Sequence, residues 1–267
     1  GSGALAGVAY QTDREFLAAE LGFSRISANS MDAVSDRDFV VEFLAAASVC
    51  MMHFSRLSEE LVLWSSGEFG FIRLSEDFTT GSSIMPQKRN PDFAELARGK
   101  TGRVYGDLIG MLTTLKGLPL TYNRDMQEDK EGFFDAADTL STTLDVFQAM
   151  LPGMQLNEER VSSLAGESQM LATDLADYLV GKGMPFREAH GILRQLSQQC
   201  DDNNISLQDL PLTEYQKLSN LFTDDVYNIS AESSTAARDN PGGTAPNRVA
   251  VALEEAKKIL ETANNGF

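Results

Sequence analysis

The stretch 79–96 carries side chains that could bind an anion and react with it. Two adjacent hydroxyls, Ser82 and Ser83, precede Lys88 in a polar loop. The loop is predicted to end where a long helix begins, and free backbone N–H groups at a helix start attract negative charge. These features favour a bound carboxylate or phosphate, although a solvated connector before a capped helix is the plainer alternative.

Sequence signals place the helix start at Asn90 and Pro91. Asparagine is a good N-cap, and proline suits the first helical position because its missing N–H has no partner there. Asp92 and Glu95 place acids in the first turn, near the positive end of the helix dipole. A long helix is therefore predicted over residues 91–116.

A second segment, residues 122–131, is dense in hydrogen-bonding groups. Gln127 and Lys130 are three residues apart and share a face if the segment is helical, with Tyr122 in the turn before them. The segment by itself also fits a solvated helix start. Two of its aspartates could be proposed as magnesium ligands, but no phosphate-binding loop or further acidic cluster supports that interpretation.

Both segments carry longer motifs. The string Gly81–Pro91, GSSIMPQKRNP, resembles the signature loop GSSxMPxKxNP of the fumarase/aspartase superfamily, and Gln87 resembles its argininosuccinate lyase branch. Residues 122–130 resemble the pattern YNxDxQEDK of that branch, and residues 184–190 resemble its C-terminal domain. The glycine-rich residues 1–7 look like a stretch found mid-chain in the family. The resemblance spans essentially the whole chain and predicts a fragment lacking the N-terminal portion.

The resemblance implies a carbon–nitrogen lyase of arginine biosynthesis. Its reaction is the anti β-elimination of argininosuccinate to arginine and fumarate, with no cofactor and no metal. By resemblance Ser82 is the catalytic serine, although Ser83 stays open as its adjacent alternative. A serine is a poor base, so it must be activated by positive potential and exclusion of water. The implied substrate-binding residues are Lys88, Asn90, Tyr122, Gln127 and Lys130.

The family is also expected to assemble homotetramers whose active sites draw loops from three subunits. Its partner acid/base is a histidine on an N-terminal segment, whereas His53 and His190 of this chain lie in no matching motif. We therefore expect residues 1–267 alone to be inactive. Two alternatives remain: a sister lyase of the superfamily, and a non-catalytic structural or oligomerisation protein like the lens crystallins that share this fold.

Composition limits the class of protein. The 267 residues are 42% hydrophobic, which is typical of a globular protein with a sizeable core. A net charge of −17 argues against a broad surface for nucleic acid or anionic membrane. The separated Cys50 and Cys200 are interpreted as reduced thiols of a cytoplasmic protein, neither disulfide-bonded nor zinc-bound. The most apolar run, residues 43–52, is too short to span a bilayer, and no signal peptide is visible.

Apolar periodicity predicts an all-α fold. Long helices are predicted from about Ser35 to Ser66, over 91–116, and along the stripe from Phe133 to Leu151, with the heptad-like spacing of near-parallel bundle packing. In the first helix the repeating positions are Phe39, Phe43, Ala46, Cys50, His53, Leu57, Leu61 and Trp64. The predicted domains are a partial central helical bundle over 1–165, with the signature loop at 79–90, and a small C-terminal helical domain over 166–267.

Overall fold

The computed structural model describes residues 1–81, 83–85, 87–165 and 168–264, and the backbone alone for residues 168, 169 and 264. The chain folds into two compact units, Gly1–Asn157 and Glu158–Phe267. The predicted domain boundary between residues 165 and 166 falls at the edge of a gap in the described residues, so it stays a prediction.

Both units are built from helices, which confirms the predicted all-α fold class. The first unit contains α1 (Arg14–Glu20), α2 (Ser30–Ser35), α3 (Asp38–Ser65), α4 (Asp92–Leu115) and α5 (Asp129–Met150). Its described strands are two residues long: β1 (Ile72–Arg73), β2 (Thr80–Gly81), β3 (Arg89–Asn90) and β4 (Gln155–Leu156). They form two antiparallel pairs, β1 with β4 and β2 with β3.

The long helices α3, α4 and α5 form the bundle. Phe43 of α3 packs on Phe133 of α5, and Phe54 packs on Phe147, with ring centroids 4.8 and 4.7 Å apart. Because these contacts occur in the same order along both helices, α3 and α5 run in the same direction. α4 runs in the opposite direction, since Arg98 near its start pairs with a glutamate near the end of α3.

Two clusters of buried side chains form the core of the bundle. Each draws on all three long helices, and this burial is the main favourable contribution to the stability of the unit. One cluster contains Val40, Leu44, Ala47, Met51, Val104, Met111 and Ala136, and the other contains Leu61, Ile72, Leu74, Ala94, Ala97, Phe147 and Met150.

Leu61 of the apolar stripe predicted for the first long helix is buried, but most of that stripe is not the buried face of the helix. Phe39 is 62% exposed and Trp64 is 38% exposed, whereas Val40, Leu44 and Met51 are almost fully buried. The buried face is offset by one residue, a rotation of about 100° around the helix. Because α3 is apolar on both faces, apolar content did not tell which face packs within this unit.

By length and composition alone, α3 is also long and apolar enough to cross a bilayer. The apolar run 43–52 did not predict this, because further apolar residues extend the helix on both sides of that run. The helix packs against α4 and α5, and a helix that is apolar around most of its girth is also expected at the centre of a larger bundle.

Two helix starts differ from their predictions. Residues 29–33 contain a helix start: the Asn29 side chain accepts hydrogen bonds from the N–H groups of Met31 (2.9 Å) and Asp32 (3.2 Å) and caps α2. The extended backbone of Asp36 then ends α2, so the long helix begins at Asp38 and not at Ser35. At α4 the N-cap is Pro91, because Asn90 is held in the β2–β3 pair.

The second unit consists of shorter helices: α6 (Glu158–Ala165), α7 (Ala172–Gly181), α8 (Phe186–Asn203), α9 (Leu212–Leu218), α10 (Ala231–Ala237) and α11 (Pro246–Asn264). Its core includes Leu179, Leu196, Cys200, Tyr215 and Phe222. The segment 201–210 is partly helical, since α8 extends to Asn203 and a 3₁₀ turn covers Leu207–Asp209.

Candidate active site

The signature loop begins and ends in the β2–β3 pair, which brings its two arms together at the start of α4. Thr80 lies opposite Asn90, and Gly81 lies opposite Arg89. The Thr80 hydroxyl donates a hydrogen bond to the carboxylate of Asp92, the first residue of α4. The loop is thereby attached to the helix whose N-terminus it precedes.

The described part of the loop is open to solvent. Ser83 and Lys88 are exposed, Asn90 is half-buried, and the Lys88 N–H donates to the Met85 carbonyl (3.0 Å). Ser82, the predicted catalytic residue, lies outside the described residues. The hairpin therefore presents the Lys88 cation and the Asn90 amide near the positive end of α4, an arrangement suited to an anion.

The second motif lies between α4 and α5. A 3₁₀ turn, Arg124–Glu128, leads into α5 and is anchored by the buried Met126. Tyr122 and Gln127 are exposed, so both side chains are accessible. Thr121, immediately before Tyr122, has a φ of 88°, a conformation that β-branched residues rarely adopt.

Lys130, the third predicted contact of this motif, is 62% exposed and donates from Nζ to Oδ1 of Asp129 (2.8 Å). The other Asp129 oxygen accepts from Nε of Arg37 at 2.5 Å. Burial alone would raise the pKa of Asp129, but hydrogen bonds from Lys130 and Arg37 outweigh it and lower that pKa. Sequence reasoning missed this contact, because Arg37 lies 92 residues away from Asp129.

A cleft of about 460 Å³ adjoins the start of α5 and is lined by acidic residues, among them Asp107, Glu128, Asp129 and Asp135. Burial and the neighbouring Asp135 raise the pKa of Asp107. The hydrogen bond from Arg103 lowers the pKa of Asp135 in spite of partial burial. The cleft thus favours cationic groups, whereas Lys130 beside it favours an anion.

The two motifs lie at opposite ends of the bundle. The signature loop precedes α4, and the second motif follows it at the beginning of α5. α4 has 24 residues, so at about 1.5 Å per residue its ends are about 35 Å apart. Within one copy, Lys88 and Asn90 lie at one end of the bundle, and Gln127 and Lys130 lie at the other.

The remaining candidate side chains are cysteines and histidines, potential metal ligands among the residues that the structure describes. Within the described residues, no group of three or more histidine, cysteine, aspartate or glutamate side chains could hold a metal ion. Cys50 and Cys200 are not joined by a disulfide; Cys50 is partly buried and Cys200 is buried. His53 is exposed rather than buried in the core, and His190 is exposed with its ring 6.2 Å from that of Phe186.

Two protein-family models match the chain. One, described as "Lyase", matches residues 1–106, and another, described as "Argininosuccinate lyase C-terminal", matches residues 169–235. Curated argininosuccinate lyases of three bacteria are more than half identical to this chain. Those of Dehalococcoides mccartyi, Moorella thermoacetica and Listeria monocytogenes are 56%, 56% and 54% identical over 98%, 100% and 97% of its residues. The chain spans 57 to 58% of the length of these relatives.

Solved structures have the same fold. An EDDS lyase variant with bound fumarate has a TM-score of 0.85 and 27% identity, over 99% of this chain and 55% of its own. A class II fumarase from Schistosoma mansoni has a TM-score of 0.63 over 76% of this chain and 40% of its own. At 20% identity, the second likeness shows the fold alone.

Proposed function

This chain belongs to the argininosuccinate lyase family, and from that premise we propose that the full-length protein splits argininosuccinate into arginine and fumarate. The observation that carries the proposal is identity of 56% over nearly the whole chain to relatives of that name. The two motifs at 81–91 and 122–130 lie within that matched length. The proposed reaction is an anti β-elimination in arginine biosynthesis, in the cytoplasm.

The elimination requires a base, an acid and groups that stabilise negative charge. A base removes a proton beside a carboxylate, and the electron pair moves into that carboxylate as a dianionic enolate. The C–N bond then breaks as an acid protonates the departing guanidinium nitrogen. We assign the base to Ser82 and the binding of substrate to Lys88, Asn90, Tyr122, Gln127 and Lys130.

Electrostatics support this assignment. Donors aimed at the developing enolate stabilise the transition state most when they are fixed before reaction. The β2–β3 pair fixes Asn90, and Asp129 fixes Lys130 at the other end of the bundle. Because the chain has a net charge of −17, binding of an anionic substrate depends on such locally placed cations.

The separation of the two motifs supports an assembly with shared active sites. Groups about 35 Å apart in one copy cannot contact one small substrate, so one site needs motifs from different copies. Exposed apolar residues on α3 and α4, including Phe39, Val49, Leu96 and Ile109, offer surface for helices of other copies. We propose a homotetramer in which each site is completed by neighbouring subunits, and we expect residues 1–267 alone to be inactive.

Two other functions compete with this proposal. A sister lyase is favoured by the structural likeness to EDDS lyase, although its identity is 27% against 56% for argininosuccinate lyases. A structural protein of the same fold would have no activity at all. A panel of substrates given to the full-length protein separates the three functions.

The first prediction is that full-length protein releases fumarate and arginine in equal amounts from argininosuccinate, and does not act on adenylosuccinate, malate, aspartate or EDDS. Ser82→Ala is expected to lower kcat at least about 100-fold, the effect of removing a positioned general base. Fumarate release is followed by ultraviolet absorbance. Ser83→Ala, the adjacent exposed serine, is the matched control and should retain most activity. Full activity of Ser82→Ala, or preference for another substrate, would contradict the assignment.

A further inference from the structure

Asp129 is a buried carboxylate whose two oxygens are bound by two different cations. Its side chain is 8% exposed. Oδ2 accepts from Nε of Arg37 at 2.5 Å, and Oδ1 accepts from Nζ of Lys130 at 2.8 Å. A buried charge is strongly destabilising unless it is paired in this way. The carboxylate therefore fixes the positions of both cations relative to α5.

Arg37 is itself held rigidly at the start of α3. Its side chain is 15% exposed, and Nη1 donates to the backbone carbonyl of Asp36 (2.7 Å) and more weakly to that of Val34 (3.4 Å). A planar guanidinium with several fixed donors loses little freedom when it forms a further hydrogen bond. Arg37, at the start of α3, therefore holds Asp129, and Asp129 in turn holds Lys130.

The charge balance of this group leaves Lys130 available to an anion. Two cations surround one carboxylate, so the group carries a net charge of about +1 at neutral pH. Lys130 is the exposed member, at 62%, and its ammonium has three N–H groups, of which one bond to Asp129 leaves two for a ligand. Without Arg37, the carboxylate would cancel the charge of Lys130.

We propose that Asp129, clamped by Arg37, is a positioning residue that aims the Lys130 ammonium at a carboxylate of the substrate. This inference rests on the proposed function, in which Lys130 contacts argininosuccinate. Asp129 touches no substrate and acts through Lys130. Arg37 compensates the charge of Asp129, so that positioning does not weaken the attraction of Lys130 for an anion.

The test is a double-mutant cycle in the full-length protein, with Asp129→Asn, Lys130→Met and the double variant. Asparagine keeps the size and an acceptor for Arg37 but removes the charge. Asp129→Asn should lower kcat/KM about 10- to 100-fold, mainly through KM, the effect expected for a hydrogen bond between charged groups. In the Lys130→Met background the same change should alter kcat/KM less than about twofold, because the two residues act as one unit.

Where turnover is too slow to measure, the same three variants are made in a Ser82→Ala background. Calorimetric titration with argininosuccinate then gives the Kd of each variant, and the double-mutant cycle is calculated from these Kd values. The matched control is Asp174→Asn, which breaks an ion pair between Arg238 and an aspartate that is 10% exposed, in the second unit. It should leave kcat/KM within about twofold of wild type, as expected for an ion pair that binds no substrate.

Two results would overturn the inference and differ from each other. Equal losses from Asp129→Asn with and without Lys130 would assign Asp129 a merely structural role, while the proposed function stands. Absence of argininosuccinate turnover by the wild-type full-length protein would remove the proposed function, and the positioning role with it.

Discussion

Carboxylates of this protein take their protonation behaviour from the groups that surround them. Asp129 is buried and paired, and its pKa is lowered by Lys130 and Arg37. Asp107 is partly buried beside Asp135, and its pKa is raised. Asp225 lies at the surface of the second unit, where hydrogen bonds from Thr223 and Tyr178 lower its pKa to about 2. Local geometry, not the net charge of −17, decides each case.

Asp225 belongs to a polar cluster that joins the end of α7 to the first residues of the 3₁₀ turn Asp224–Asn228 and to Thr223 before it. Nζ of Lys182 donates to Oγ1 of Thr223 (2.6 Å) and to Oδ1 of Asp225 (3.1 Å), and the Tyr178 hydroxyl donates to the same carboxylate. The ammonium also lies 4.2 Å from the centre of the Tyr178 ring. The cluster ties two segments that are more than 40 residues apart.

This cluster leads to a prediction about acid stability. Because the folded-state pKa of Asp225 is about 2, below its ordinary value of 3.8, the folded state binds a proton less readily than the unfolded state. The stabilisation is complete above about pH 5 and is lost as pH falls through about 4 towards 2. Asp225→Asn should therefore lower the urea midpoint at about pH 7, and the gap to wild type should narrow by about pH 3. Asp224→Asn, the neighbouring acid, is the control; a gap that stays constant with pH would contradict the prediction.

The chemistry of single residues was more accessible to sequence reasoning than their surroundings. The motif residues Lys88, Asn90, Gln127 and Lys130 were named from spacing and resemblance, and their roles stay predictions. The contact from Arg37 to Asp129 was not predicted, because it joins the start of α3 to the start of α5 across 92 residues. A pairing between distant segments depends on how the helices pack, and local sequence does not encode that.

Among the elements, the β2–β3 hairpin, whose strands are two residues long, positions the signature loop at the start of α4. The β2–β3 pair holds Asn90 in an extended conformation, and the Thr80 hydroxyl bonds to Asp92 on the helix. Pro91 is then the N-cap, and α4 begins at Asp92. The loop is therefore attached at both of its ends, and its described residues between the two strands, 83–85, 87 and 88, are exposed.

The attachment of the loop to α4 can be tested with one substitution. Thr80→Val keeps the shape of the side chain and removes the hydroxyl that bonds to Asp92. We expect kcat/KM of the full-length protein to fall about threefold to tenfold, the range for one neutral or partly charged hydrogen bond, with little change in melting temperature.

Thr79→Val is the matched control for this change. The Thr79 hydroxyl donates to the backbone carbonyls of Ser75 (3.3 Å) and Glu76 (3.4 Å) and not to α4. Its kcat/KM should stay within about twofold of wild type, because its bond does not attach the loop. Equal effects of the two substitutions would show that attachment to α4 does not matter for catalysis.

Helix identity was predictable, whereas helix faces and ends were less so. The all-α bundle follows from apolar residues at three- and four-residue steps, and the approximate bounds of α4 were also predicted from the sequence. The buried face of α3 was missed by one residue, because this helix is apolar on several sides. The short β2–β3 pair was missed because two-residue strands leave no period in the sequence.

In the molecule as a whole, a single copy of the bundle exposes large apolar side chains and holds its two motifs at opposite ends. Phe39 is 62% exposed, Ile109 is 63% exposed and Leu96 is 59% exposed. The signature loop and the second motif lie about 35 Å apart along α4. Packing of copies side by side would cover the exposed apolar side chains. It would also bring the signature loop of one copy and the second motif of another within reach of one substrate.

The apolar surface of α3 also explains why its length and composition fit a membrane-spanning helix. In the proposed tetramer its outer face contacts helices of other copies, and a helix surrounded by helices needs apolar residues all around. The apolar composition of α3 therefore gives the same signal for both environments, and its packing against α4 and α5 agrees with the predicted place in the bundle.

The most direct test of the account is complementation between two inactive full-length variants, Ser82→Ala and Lys130→Met. Each alone should be nearly inactive, because every site lacks one essential group. If one site takes its signature loop and its second motif from different copies, co-expression yields mixed oligomers in which some sites have both groups intact. We expect recovered fumarate release of up to about a quarter of the wild-type rate, the statistical share of such sites. A co-purified mixed oligomer with no more activity than its two parents would contradict it.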